Sequence, residues 1–207
     1  MQKYDYWGFA QQEQYDEQLE IVYSTSHKDG FENKYNKEDA TRGVGVYGEA
    51  TQEGVENILA ARKDFFNDPD GVFYDLGCGT GKLVSHIALG SRLSKVCGIE
   101  KDPIRYRKAK KLVDKIEFPF TKPTIVHGDF YELDLSDATI IYCDNTMYEF
   151  NKHSVWTKKL FSSIRVGTVL IFKQPTRAYG SDSGHIRIHT SYGSTTGHYV
   201  VYDGFFA

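Results

Sequence analysis

The densest chemistry in the chain lies at Val72-Phe73-Tyr74-Asp75-Leu76-Gly77-Cys78-Gly79-Thr80-Gly81-Lys82, where an apolar run leads into an acid and then glycine at every second position. Without side chains at Gly77, Gly79 and Gly81, a ligand can approach the backbone at the carboxyl end of a strand. Two more acids follow later apolar runs: Glu100 after Val96-Cys97-Gly98-Ile99, and Asp129 in Gly128-Asp129-Phe130. A carboxylate about 20 residues beyond a glycine loop can accept both hydroxyls of a ribose. An acid beside an aromatic ring can accept an exocyclic amine while the ring packs on a base. Taken singly, each is also what a tight turn or a solvated strand-end acid looks like; in series they describe a site for a nucleoside-bearing ligand.

Spacing sorts the ligand class. A dinucleotide fingerprint needs a third glycine where Lys82 stands; a P-loop needs Ser or Thr at Leu83 and a glycine at Leu76. What fits is Asp-x-Gly-x-Gly-x-Gly, the pattern by which methyltransferases hold S-adenosylmethionine. That ligand has no pyrophosphate, so Asp75 is welcome and can meet its ammonium directly or through water. A fourth apolar run, Ala138 to Cys143, ends in Asp144-Asn145-Thr146-Met147-Tyr148. There a methyltransferase presents groups to its acceptor: amide oxygens can orient an amine and Tyr148 can wall an aromatic slot. An ordinary Asp-Asn turn is the alternative.

The elements that must position these residues alternate. Val55, Ile58, Leu59, Arg62 and Phe66 recur at helical spacing over Thr51 to Phe66, and Asn67-Asp68-Pro69-Asp70-Gly71 stops that helix. Then come a strand at 72–76, helix 81–90, strand 95–100, helix 103–116, strands 124–128 and 138–144, helix 153–164 and strand 167–173. This order predicts an α/β fold, a mostly parallel sheet with helices on both faces. His185 to Tyr192 and His198 to Phe206 read as two strands joined by Gly193-Ser194-Thr195-Thr196-Gly197, a C-terminal antiparallel hairpin in which one edge strand runs backwards. Five parallel strands and a hairpin make the Rossmann-like seven-stranded methyltransferase sheet.

The 207 residues are enough for one core. Apolar runs fall far short of the roughly 20 residues that cross a bilayer, and the start lacks a secretory pattern, so an intracellular protein is expected. Cys78, Cys97 and Cys143 form no CxxC pair and read as buried, reduced thiols. His185 and His189 are four apart, which on a strand is roughly 13 Å, too far for one metal; no metal site is expected. The net charge of −3 removes the simplest case for nonspecific nucleic-acid binding, but it hides an asymmetry. Residues 1–40 hold nine acids and four lysines, a net of −5, leaving +2 elsewhere. Residues 1–46 therefore read as an acidic, aromatic-rich arm of short helices and loops docked on a 47–207 domain. The arm serves either as a lid offering negative charge to a basic substrate or as scaffold.

Several ordered stretches resemble the non-SET histone-lysine methyltransferases of the disruptor-of-telomeric-silencing type. Val46-Tyr47-Gly48-Glu49 is similar to the family's loop over the cofactor, Tyr74 to Gly81 to its glycine loop, Gly98-Ile99-Glu100-Lys101 to its ribose site and Gly128-Asp129-Phe130 to its adenine site. Ile141 to Asn145 resembles its strand ending in two asparagines beside the lysine channel, and Ser191 to Tyr199 its terminal hairpin, whose tyrosine lines that channel. The resemblance implies cofactor contacts from Tyr47, Gly48, Glu49, Asp75, Gly77, Cys78, Gly79, Gly81, Lys82, Glu100, Asp129, Phe130 and Asn145, and an acceptor channel from Asp144, Asn145, Tyr148 and Tyr199. It implies a nucleosomal core histone as substrate and hence a nuclear location; otherwise the cytoplasm is expected. Departures are Asp144 for the first asparagine, Ala50 for a small hydroxylated residue, Lys82 at the end of the glycine loop, and no lysine-rich tail for nucleosomal DNA. Arg105, Arg107, Lys108, Lys110, Lys111 and Lys115 are candidates for a weak DNA contact, or simply a solvated helix face.

Methyl transfer from a sulfonium is an in-line displacement, so alignment and exclusion of water should do most of the work. A lysine acceptor must first lose a proton, which burial beside a cationic cofactor promotes. Asp144 opposes this, because a carboxylate stabilises an ammonium. Methylation of another protein, a nucleic acid or a small molecule, or cofactor binding without catalysis, stand as alternatives.

Overall fold

The computed structural model describes residues 12–25, 48–147, 155–174, 182–191 and 193–204. Its elements are α1 (Gln12–Tyr23), α2 (Gln52–Ala61), α3 (Lys63–Phe66), β1 (Val72–Leu76), α4 (Lys82–Leu89), β2 (Lys95–Glu100), α5 (Pro103–Val113), β3 (Thr124–His127), β4 (Ile140–Cys143), α6 (Val155–Ser163), β5 (Val169–Phe172), β6 (Ser183–Thr190) and β7 (Gly193–Val201). The seven strands form one sheet in the order β3-β2-β1-β4-β5-β7-β6. Strands β1 to β5 are mutually parallel, so their carboxyl ends share one edge. Strand order reverses between β1 and β4, which opens a crevice at that edge.

Alternation along β1 sets the two cores. Phe73 faces α2, α4 and α5 with Val55, Ile58, Val84, Ile87 and Ala109. Tyr74 and Leu76 face the other way, with Leu160 and Phe161 of α6. Asp102 caps α5 by accepting from the N–H groups of Ile104 (2.8 Å) and Arg105 (2.9 Å), with Pro103 in the first turn, an arrangement worth about 1 kcal/mol. Cys78, Cys97 and Cys143 are free and buried, as expected.

Three expectations need correction. The helix over 51–66 is broken at Arg62, whose backbone (φ −133°, ψ 49°) is not helical. Its guanidinium instead binds Asp64 and Asp182, both at 2.9 Å, and so ties α3 to the start of β6. The hairpin does not turn at 193–197: β6 and β7 already pair at Thr190 and Gly193. Thr195 and Thr196 suit a strand, and Gly197 marks close approach, since a Cβ there would run into the Ile188 side chain. Finally, the reversed strand is not at the edge. β7 lies between β5 and β6, antiparallel to both, and the edge strand β6 runs in the same sense as β1 to β5.

Within the acidic arm, α1 buries Tyr15, Leu19 and Val22 against Leu89, Leu112 and Ile116 of the α4 and α5 layer. Tyr15, Leu19 and Val22 form an apolar stripe at i, i+4 and i+7 that docks α1 on the domain. Residues 26–46, the rest of the proposed lid, lie outside the described residues. His86 of α4 is fully buried, its Nε2 3.0 Å from the Tyr15 hydroxyl and its Nδ1 2.8 Å from that of Tyr23. Burial pushes the imidazole pKa down to about 3. Between that value and the unfolded value near 6.5, only the unfolded chain takes up this proton, so stability falls as pH drops through this window. We expect His86 to contribute a loss of about 1.4 kcal/mol per pH unit there, measured as the difference in denaturant unfolding between the wild type and His86→Gln from pH 7 to pH 4.5.

Candidate functional site

At the crevice, the chain leaves β1 through Gly77, Gly79 and Gly81, with φ of +88°, +57° and +85°, a region that side chains strain to enter. Two N–H groups of this turn, Gly77 and Cys78, donate to the Ile99 carbonyl at 2.9 Å. The next, Gly79, donates at 2.8 Å to Glu100 Oε2, while Asp102 N–H donates at 2.8 Å to Oε1. Glu100 is therefore aimed by the loop itself, with lone pairs left for further donors. Burial raises its pKa and the two N–H groups oppose that rise.

Asp75 is 3% exposed and lines a cleft with Gly48, Glu49, Ala50, Gly77, Cys78, Gly79, Lys82, Leu83, Tyr142 and Asp144. Among the described residues its carboxylate accepts no hydrogen bond and has no ion-pair partner. Burial, reinforced by Glu100 and Asp144, holds its pKa well above the usual carboxylate range. A buried acid facing a cleft without a partner suits a ligand that brings a cation.

A loop over the glycine turn forms the far wall. Glu49 O accepts from Ser191 N–H at 2.9 Å and Thr51 N–H donates to His189 O at 2.8 Å, so this segment adds a short antiparallel bridge to the tip of β6. The Glu49 carboxylate turns inward to accept from the Thr80 hydroxyl and, at 2.7 Å, from Lys82 Nζ. Lys82 also donates to Thr25 O, just past α1, at 2.7 Å. The Lys82 and Glu49 side chains are 7% and 8% exposed. Lys82 thus closes the loop onto the glycine turn; the sequence offered only its odd place in a glycine motif.

Just past β4, Asn145 is 5% exposed. Its Oδ1 accepts from Gln174 N–H at 2.7 Å and its Nδ2 donates to Gln174 O at 3.2 Å, bracing the ends of β4 and β5. Asp144 accepts from Thr146 through Oδ1 and pairs with Lys173 at 3.1 Å through Oδ2. Tyr199 does not line the cleft: its ring lies against Gly184, with the Arg62 guanidinium 5.1 Å away. Asp129 caps a short 3₁₀ turn and pairs with Lys101 at 2.8 Å, while the Phe130 ring is packed into the core rather than the cleft. Tyr47 and Tyr148 lie outside the described residues. Of the candidates, Gly48, Glu49, Asp75, Gly77, Cys78, Gly79, Lys82 and Asp144 therefore meet at one cleft, with Glu100 behind the loop.

Sequence reasoning missed Thr80, Lys173 and Gln174. Lys173 carries the same signal that singled out Asp75 and Glu100, a charged residue at the end of an apolar strand. The histidines also pair unexpectedly: His185 and His198 face each other across the hairpin with their Nδ1 atoms 3.1 Å apart. Among the described residues no three His, Cys, Asp or Glu side chains come together as a metal site, and no helix is long and apolar enough to cross a membrane. On α5, the candidate basic residues are exposed or half-buried.

The strand order and the crevice over a glycine turn define the Rossmann-like methyltransferase fold. It resembles that of an RNA methyltransferase from Salinibacter ruber in complex with S-adenosyl-L-homocysteine: TM-score 0.56, 24% identity, covering 74% of this chain and 94% of that one. It is likewise similar to precorrin 8W decarboxylase from Methanobacterium thermoautotrophicum: TM-score 0.52, 15% identity, 75% of this chain and 92% of that one. Residues 33–185 match the family described as histone methylation protein DOT1, and the chain belongs to that family. It is also 31% identical over 103 residues to a protein-lysine N-methyltransferase from Saccharolobus islandicus (strain REY15A), a stretch that spans 49% of this chain and 61% of that protein.

Removing one partner of a buried ion pair strands the other charge, at a cost of about 3–5 kcal/mol. We expect Lys82→Met to lower unfolding stability by about that much, and Lys82→Met with Glu49→Gln to recover part of it, as read by urea denaturation.

Proposed function

We propose that the chain is an S-adenosylmethionine-dependent protein-lysine N-methyltransferase acting on a nucleosomal core histone. The observation that carries this reading is a buried Asp75, without a partner among the described residues, facing a cleft over a glycine turn in a chain of the DOT1 family. The site fits the cofactor, because an acid uncompensated among the described residues calls for a cation and the glycines leave the backbone open. When bound, S-adenosylmethionine supplies a methyl group activated by a sulfonium.

The chain's own residues do the rest. Asp75 holds the ligand's ammonium, and Glu100, pre-aimed by two N–H groups, accepts the ribose hydroxyls. Gly77, Cys78, Gly79 and Gly81 form the floor, Asp129 lies toward the base, and Gly48 and Glu49, the latter locked by Lys82, cover the ligand. Asn145 fixes the acceptor edge, with Asp144 and Tyr148 beside the incoming lysine; Tyr199, turned toward Gly184 and Arg62, takes no part in this reading. The lysine sheds its proton to solvent as it is buried beside the sulfonium, and its lone pair then forms the N–C bond as the S–C bond breaks. Residues 47–207 are the catalytic unit and 1–46 the arm. The arm's negative charge suits a basic substrate, and Arg105, Lys108 and Lys111 suit a weak DNA contact.

The test is transfer of labelled methyl to nucleosomes, free core histones, DNA and RNA side by side, with the product located by mass spectrometry. Label on a histone lysine is expected; label on nucleic acid, or none, overturns the substrate assignment. Cofactor binding has its own signature. An ammonium prefers the ionised form of Asp75, so S-adenosyl-L-homocysteine affinity should fall as pH drops through the raised Asp75 pKa. Asp75→Asn should weaken binding at pH 7.5 by about 10–100-fold and flatten that pH dependence, as read by calorimetry.

A further inference from the structure

Asp144 stands where the acceptor amine must approach, and a lone carboxylate there would hold that amine as its unreactive ammonium. The structure does not leave it alone. Lys173, one residue past β5, sets its ammonium 3.1 Å from Asp144 Oδ2, with the lysine side chain only 12% exposed and the acid 28%. Thr146 fills Oδ1 through its N–H and hydroxyl. The Asn145–Gln174 brace fixes the residues after Asp144 and Lys173 relative to each other, so the pair is held in register by two hydrogen bonds between the Asn145 side chain and the Gln174 backbone.

The charges around this spot make the pair consequential. Asp75, at the end of β1, lines the same cleft as Asp144, and burial together with Glu100 and Asp144 raises its pKa. Tyr142 and Cys143, on Asp144's own strand, are buried and neutral. Across the cleft, Glu49 is already matched by Lys82. Lys173 is thus the cation assigned to Asp144, just as the ligand's ammonium would be assigned to Asp75.

We propose that Lys173 is a positioning residue for methyl transfer: by pairing with Asp144 it removes the negative charge from the acceptor side of the cleft, so that an incoming lysine can enter as its neutral amine. This rests on the lysine-methyltransferase reading. Lys173 touches neither ligand nor acceptor and acts through Asp144.

The experiment is the pH profile of kcat on a lysine peptide for wild type, Lys173→Met, Lys173→Arg, Asp144→Asn and Asp144→Asn with Lys173→Met. The rate rises with pH as the acceptor loses its proton. Lys173→Met should move that midpoint up by about 1 pH unit, as expected for one unpaired charge nearby, and Asp144→Asn should move it down. Lys173→Arg and the double variant should return it close to wild type. Lower rates with unmoved midpoints would mean a structural brace only and overturn the proposal while the enzymatic reading stands. If the wild type methylates no lysine, that reading fails, and a second arm decides this one. Binding of n-butylammonium to the complex with S-adenosyl-L-homocysteine at pH 7.5 should be about tenfold tighter in Lys173→Met, and equal binding would overturn the proposal.

Discussion

A buried ammonium cannot be left unpaired, and the geometry of the cleft follows from how the Lys82 ammonium is satisfied. Lys82 begins α4, directly after the glycine turn, and is almost wholly shielded from water. Its partners are Glu49, from the loop above, and the Thr25 carbonyl, just beyond α1. Three segments far apart in sequence are thereby drawn to one point. Glu49 cannot leave without stranding Lys82, and the bridge from Ala50 to Thr190 extends the constraint to the terminal hairpin.

The strand ends around this point gather acids, which repel one another unless each finds compensation. Glu100 accepts two backbone N–H groups, Asp129 pairs with Lys101, and Asp144 pairs with Lys173. Of these strand-end acids, Asp75 has no counterpart among the described residues, and burial makes its charge costly. The pattern of compensation therefore marks the place for a cationic ligand more sharply than the presence of acids does. The carboxylate at position 144 is likewise matched, by Lys173.

Much was legible in the sequence because the signals are local. Apolar runs gave β1 and β2 to the residue and β4 within two residues, and the Gly77 to Gly81 spacing separated the loop from phosphate-binding turns, since positive φ and an open backbone are properties of the turn itself. The misreadings came from residues whose conformation is decided by distant partners. Arg62 has good helical propensity, yet Asp182 and Asp64 reward a break there. Gly193 to Gly197 has loop composition but pairs with β6, where Ile188 takes the room a side chain at Gly197 would need.

The sequence by itself determined the order of strands and helices, the glycine turn and the acids at the strand ends, because each depends on period and spacing within one segment. Only the tertiary structure decided which of those acids are compensated. It turned Phe130 into the core and Tyr199 toward Arg62, made Asn145 a brace between strand ends, and recruited Lys82 and Lys173 as counter-charges. Pairing across 29 or 33 residues depends on strand order and register rather than local propensity, and the chain reveals it only when the sheet has formed.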